Sequence, residues 1–109
     1  MHIKFVNHSS LIISCNGINI LSDPWLFGDI FCNGWSLISK SCNINWNDIN
    51  YVWISHEHPD HFHIPSLKSI PESIKKNIVF LYQSTIDKKV SKFNQFLYYN
   101  ILICRVYLI

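Results

Sequence analysis

Four histidines and two carboxylates fall within eight residues, His56-Glu57-His58-Pro59-Asp60-His61-Phe62-His63, a density reached nowhere else in this 109-residue chain. Imidazole nitrogens and carboxylate oxygens are the donors Zn²⁺ takes, and Fe or Mn accepts them too. Side chains two apart on an extended segment point the same way, so His56 and His58 are spaced to grip one ion. Pro59 then turns the chain, which frees Asp60 and His61 for a second ion beside the first. Two such ions would clamp the attacking and leaving oxygens of a hydrolysis. They would also bring the pKa of bound water to about 7, supplying hydroxide as the nucleophile. Alternation puts Glu57 on the opposite side, where a salt bridge or solvent suits it, and His63 is a candidate to support a ligand from behind. The H-E-x-x-H pattern of helical zinc proteases does not apply, because position 60 is Asp and Pro59 would break the helix it requires.

A strand must deliver this cluster. Tyr51-Val52-Trp53-Ile54-Ser55 is short, apolar and rich in β-branched and aromatic residues, the composition of a buried strand. Upstream, residues 2–6 and 9–15 read as strands, and Asn16-Gly17 is a type I′ hairpin turn whose two positions both need φ > 0. Residues 18–22 return as a third strand, stopped by Asp23-Pro24. From 25 to 50 no period appears. Its aromatics, Trp25, Phe27, Phe31, Trp35 and Trp46, either pin an irregular loop to the sheet or line the mouth of a pocket. After the histidines, Pro65 suits a helix start, with Ile64, Leu67 and Ile70 as its apolar stripe, and Pro71 ends or restarts it. Residues 78–82 form another strand. Ser84 or Thr85 caps an expected helix carrying Ile86, Val90, Phe93 and Leu97, and the apolar run 98–109 supplies a final strand. Strands alternating with helices after residue 50 predict parallel βαβ units.

Composition narrows the function classes. Apolar residues make up 49% and aromatics 15%, enough for one globular domain with a core. A formal charge of +2 gives no argument for nucleic acid, and most lysines lie between 68 and 92 as a solvated face. Cys15, Cys32, Cys42 and Cys104 have no CxxC spacing and read as reduced thiols. The first eight residues lack a signal-peptide pattern, and the stretch 96–109 is broken by Asn100 and Arg105 and is too short to span a bilayer. The expectation is a cytoplasmic protein acting on a small molecule, with no nucleic-acid or membrane partner.

Ser55-His56-Glu57-His58-Pro59-Asp60-His61 behind a strand resembles the signature of the metallo-β-lactamase-fold hydrolases. His8-Ser9-Ser10-Leu11-Ile12-Ile13, the Asn16-Gly17 turn and Ile20-Leu21-Ser22-Asp23-Pro24-Trp25-Leu26 are similar to the start of the ascorbate-6-phosphate-lactonase-like branch. With Phe31 and Gly34-Trp35, the stretch is closer to sugar-nucleotide hydroxylases of the CMP-N-acetylneuraminate and UDP-N-acetylmuramate type. The resemblance covers roughly residues 2–85. It implies an α/β fold, the N-terminal half of an αβ/βα sandwich built as a β-hairpin, a long loop and then βαβα. It implies that His56 and His58 bind a first metal and Asp60 and His61 a second, zinc above all. Asp60 would also act as general base or orient the nucleophilic water, and Asp23 would support the histidine loop without binding metal. For Asp23, a turn-forming role before proline fits its position equally.

Beyond the histidine motif the chain departs from the family. The later half of the family fold brings further histidines and a bridging aspartate, whereas no histidine follows His63 and Asp87 is the one later aspartate. Residues 1–109 are therefore expected to be a single, truncated domain: a fragment, a split gene product, or a unit needing a second chain. The competing expectations are a non-catalytic, metal-binding remnant and a piece of a sugar-nucleotide hydroxylase, whose oxidation chemistry needs an iron–sulfur domain.

Overall fold

A computed structural model describes residues 1–83, Lys92 and the strand Asn100–Cys104. Strands β1 (His2–Asn7), β2 (Ser10–Cys15) and β3 (Ile18–Ser22) precede a short 3-10 turn, Trp46–Asp48, and strand β4 (Tyr51–Ile54). Helices α1 (Ile64–Lys68) and α2 (Glu72–Lys75) lead to β5 (Val79–Gln83) and β6 (Asn100–Cys104). Apart from Lys92, the expected helix over Ile86 to Leu97 lies outside the described residues, as does the run beyond Cys104.

The strands form one six-stranded sheet in sequence order. The first three are antiparallel, and β3 through β6 are parallel. The hairpin turn is as expected: Asn16 and Gly17 have φ of 49° and 77°, so β2 and β3 close with Cys15 opposite Ile18. Two reversals put β1 in the same direction as β3 and β4. The carboxyl ends of these three strands therefore meet at one edge of the sheet, the edge where open α/β sheets bind ligands.

Both faces of the sheet are apolar, as parallel strands require. Leu21, Val52 and Phe80 sit in register on one face, all fully buried, with Ile54 beside Tyr82 in the next row. Leu67 and Ile70 cover that face, and Ile74 packs against it half-buried. The opposite face carries Ile13, Ile20, Tyr51 and Val79 in register, all half-buried, and ends in exposed Ile3 and Phe5 on β1.

The stretch expected as one short helix is two. Pro71 occupies the N-cap of α2, where it lacks a side chain to cap with, and α1 has already ended at Lys68. Ile64 remains exposed, so the buried stripe reduces to Leu67 and Ile70. No helix among the described residues is long and apolar enough to cross a membrane.

The long loop performs both of the jobs open to its aromatics. Trp25 is buried, its Nε1 donating to the Gly28 carbonyl at 3.0 Å. Trp46 packs half-buried against the core. Phe31, Cys32 and Asn33 take consecutive left-handed conformations that fold Trp35 back edge-on to Phe31, with ring centroids 5.2 Å apart. Trp35 is left half exposed, and with Phe5, His8, Trp25 and Leu37 it walls a cleft of about 550 Å³.

Candidate metal centre at the carboxyl edge of the sheet

Asp23 organises this edge. It follows β3 with a φ of 38°, a strained conformation that Asp tolerates better than most residues. Backbone bonds hold it there: its N–H donates to the Trp53 carbonyl at 2.8 Å, and buried Ser10 donates from Oγ to its carbonyl at 2.6 Å. The same Ser10 oxygen accepts from the Trp25 N–H at 3.1 Å, which ties the loop to the strand.

The buried Asp23 carboxylate then reaches across to the histidine loop. Its Oδ1 accepts the Ser55 N–H at 2.7 Å, and its Oδ2 accepts Ser55 Oγ at 2.8 Å and His61 Nδ1 at 2.9 Å. These bonds assign the protons. An ionised carboxylate only accepts, so Nδ1 of His61 and the hydroxyl of Ser55 must donate to it. With its one hydrogen committed, Ser55 Oγ accepts from His56 Nδ1 at 2.9 Å. With a single proton each, His56 and His61 would both present bare Nε2 lone pairs, as metal-binding imidazoles do.

Those lone pairs point at other donors. His56 Nε2 lies 3.1 Å from His58 Nδ1, and His61 Nε2 lies 3.3 Å from Asp60 Oδ2. Ligands bound at 2.0–2.1 Å in a tetrahedron stand about 3.3 Å apart, so both pairs are spaced to share a cation. The turn after Pro59 creates the second pair: His61 and Phe62 both donate backbone N–H groups to the His58 carbonyl, at 2.9 and 2.7 Å, folding Asp60 and His61 back beside His56. The rings of His56 and His61 are 4.1 Å apart. The donor set and its spacing fit a zinc-like ion.

One further residue joins the site from outside the histidine motif. His8, which follows β1, places Nε2 3.1 Å from Asp60 Oδ2, and the donor atoms of His8, Asp60 and His61 all lie within 4.8 Å of one another. Burial pushes the Asp60 carboxyl up, but the His8 hydrogen bond, its own backbone and the charges of His61 and His8 outweigh it and hold the group below its ordinary value. In the sequence His8 opens the segment His8-Ser9-Ser10-Leu11-Ile12-Ile13 that resembles the family, a resemblance that gives it no metal-ligating role. Only the strand directions, which bring the carboxyl end of β1 to the end of β4, could have pointed to it.

His63 and Glu57 lie apart from these pairs. Buried His63 is the N-cap of α1, its Nδ1 taking the Ser66 hydroxyl at 2.7 Å and the Ser66 N–H at 3.3 Å, with Trp25 and Phe27 against its ring. Burial lowers its pKa, which favours the neutral ring this cap requires. Glu57 borders a second cleft of about 300 Å³ with Asp29, Pro59 and His63.

Comparisons with known proteins bear on the fold and the family. The chain is 28% identical over 76 residues to the cytidine monophosphate-N-acetylneuraminic acid hydroxylase of Xenopus laevis, a match spanning 66% of this chain and 13% of that protein. Its fold is similar to a possible metal-dependent hydrolase from Veillonella parvula, with a TM-score of 0.65 at 17% identity, covering 93% of this chain and 41% of that one. It is also similar to an isothiocyanate hydrolase from Delia radicum gut bacteria, with a TM-score of 0.66 at 18% identity over 94% and 40% of the two chains. The fold is the N-terminal half of the metallo-β-lactamase α/β sandwich. The family model of the beta-lactamase superfamily domain matches residues 2–101, and the chain belongs to that family.

Proposed function

We propose that this chain carries the metal-ligating part of a metal-dependent hydrolase acting on a small molecule. The observation that carries the reading is the pairing of bare nitrogen and oxygen donors behind one buried carboxylate, Asp23. His56 and His58 would hold one zinc ion, and Asp60 and His61 a second; Fe or Mn suits the same donors. When bound, the ions would acidify water and polarise the substrate's carbonyl or phosphoryl oxygen. Asp60 would act as general base or orient the attacking water, while Asp23 and Ser55 would hold the imidazoles in the tautomers that leave Nε2 bare. The cleft walled by Trp25, Trp35 and Leu37 gives a small substrate an apolar seat next to His8. A single domain in the cytoplasm is the setting, where free Cys15, Cys32 and Cys42 would stay reduced.

A second reading has support from the hydroxylase relative: the chain would be part of a sugar-nucleotide hydroxylase; the other alternative is a non-catalytic remnant that binds metal without turnover. One experiment separates them. The purified chain is loaded with zinc, its metal content measured, and its hydrolysis of an aryl ester, a thioester and a lactone followed beside an H56A/H58A variant. Hydrolysis that needs zinc and both histidines is expected. Zinc binding without hydrolysis of any substrate would leave the remnant, and iron uptake in preference to zinc would favour the hydroxylase.

A further inference from the structure

We propose that His8 is a third ligand of the ion held by Asp60 and His61, so that this chain alone builds a complete three-residue cation site. The inference rests on the metal-binding function proposed for the chain and extends it to a residue outside the histidine motif.

Asp60 Oδ2 is the centre of the site. Two imidazole nitrogens approach this one oxygen, Nε2 of His8 at 3.1 Å and Nε2 of His61 at 3.3 Å. His61 commits its Nδ1 hydrogen to Asp23 at 2.9 Å, which leaves Nε2 as the ring atom turned toward Asp60. A proton on His8 would satisfy one side of Asp60 and leave His61 facing it unbridged. A divalent cation bound by all three satisfies every one of these lone pairs at once, and an imidazole–carboxylate–imidazole trio is a donor set zinc accepts.

His8 is also held in place before any ion arrives. It follows β1 directly, just beyond a register shift between Phe5 and Asn7, with a φ of 45°. The side-chain oxygen of Asn7 accepts its N–H at 3.0 Å, and its ring stands edge-on to buried Trp25 with centroids 5.3 Å apart. Asn7 is itself buried and donates to the Ser39 carbonyl at 2.6 Å, which anchors this corner to the long loop. The trio remains accessible: side-chain exposures are 35% for His8, 13% for Asp60 and 21% for His61. Since His8 also walls the large cleft, an ion in this trio would border the space open to a substrate.

The test uses the full 109-residue chain and counts imidazoles around bound zinc by X-ray absorption, with affinity from competition against a chromophoric chelator. The H56A/H58A background removes the other pair of imidazoles. His8→Asn is then added, because Asn tolerates the left-handed backbone at that position; circular dichroism checks that each variant is folded. We expect one zinc with two imidazoles in H56A/H58A and one imidazole after H8N, with affinity falling by more than about 100-fold, beyond what loss of a supporting group causes. One imidazole in both proteins with unchanged affinity would overturn the assignment, as would failure of H56A/H58A to bind zinc while the wild-type chain binds it. Failure of the wild-type chain itself to take up zinc would overturn the metal-binding function as well.

Discussion

Asp23 Oδ2 lies 2.9 Å from Nδ1 of His61 and 2.8 Å from Oγ of Ser55, which in turn meets Nδ1 of His56 at 2.9 Å. One carboxylate at the end of β3 therefore sets the tautomers of two histidines that follow β4. The turn-forming role open to Asp23 and its supporting role are served by the same residue, since its backbone makes the turn and its side chain crosses to the loop.

Replacing Asp23 should disturb the metal before it disturbs the fold elsewhere. Asp23→Asn keeps the size but brings an amide whose NH₂ can only donate, so at least one of the donors from Ser55 and His61 loses its acceptor. Zinc affinity is expected to drop about 10–100-fold. Chelator competition measures it, and an unchanged affinity would remove Asp23 from its supporting role.

Ser10 tests the backbone side of the same junction. Fully buried, it donates to the Asp23 carbonyl and accepts from the Trp25 N–H. Ser10→Ala would remove both bonds and leave the Asp23 carbonyl and the Trp25 N–H only the 3.0 Å bond between them, costing about 0.5–1.5 kcal/mol for each bond lost. Urea unfolding should show a lower midpoint at unchanged slope.

His63 should behave unlike its neighbours. It caps α1 and packs on Trp25 and Phe27. His63→Ala is expected to lower stability by about 0.5–2 kcal/mol through the lost cap, with the zinc stoichiometry of the chain unchanged. A lost equivalent of zinc would instead make His63 part of the metal centre.

Bound metal should stabilise the fold by mass action. Zinc at about one hundred times its Kd would add about 2.7 kcal/mol to unfolding. Thermal melts with zinc and after exhaustive chelation should separate accordingly, and H56A/H58A should narrow the gap.

Much of this site was legible in the sequence because its signals are local. A strand ending in H-x-H-x-D-H makes the donor pairs from residues two and one apart, and an Asn-Gly turn leaves the backbone one good conformation. The first five strands followed from apolar composition, to within a residue or two at their ends. Helix α1 is shorter than its stripe suggested, because a proline's effect spreads to the residues before it.

The remainder of the site depends on sheet order and direction. His8 lies in a segment that resembles the start of the family fold, but no metal-ligand spacing marks it in the sequence. It reaches Asp60 because two antiparallel reversals return β1 to the direction of β4, so that their carboxyl ends share an edge. The divergence of His61 and His63 is likewise tertiary. Both follow Pro59 closely, yet the fold offers one a carboxylate across the sheet and the other the first turn of a helix. Residue type and spacing determined which atoms of this chain could hold a metal; the path of the backbone decided which of them meet.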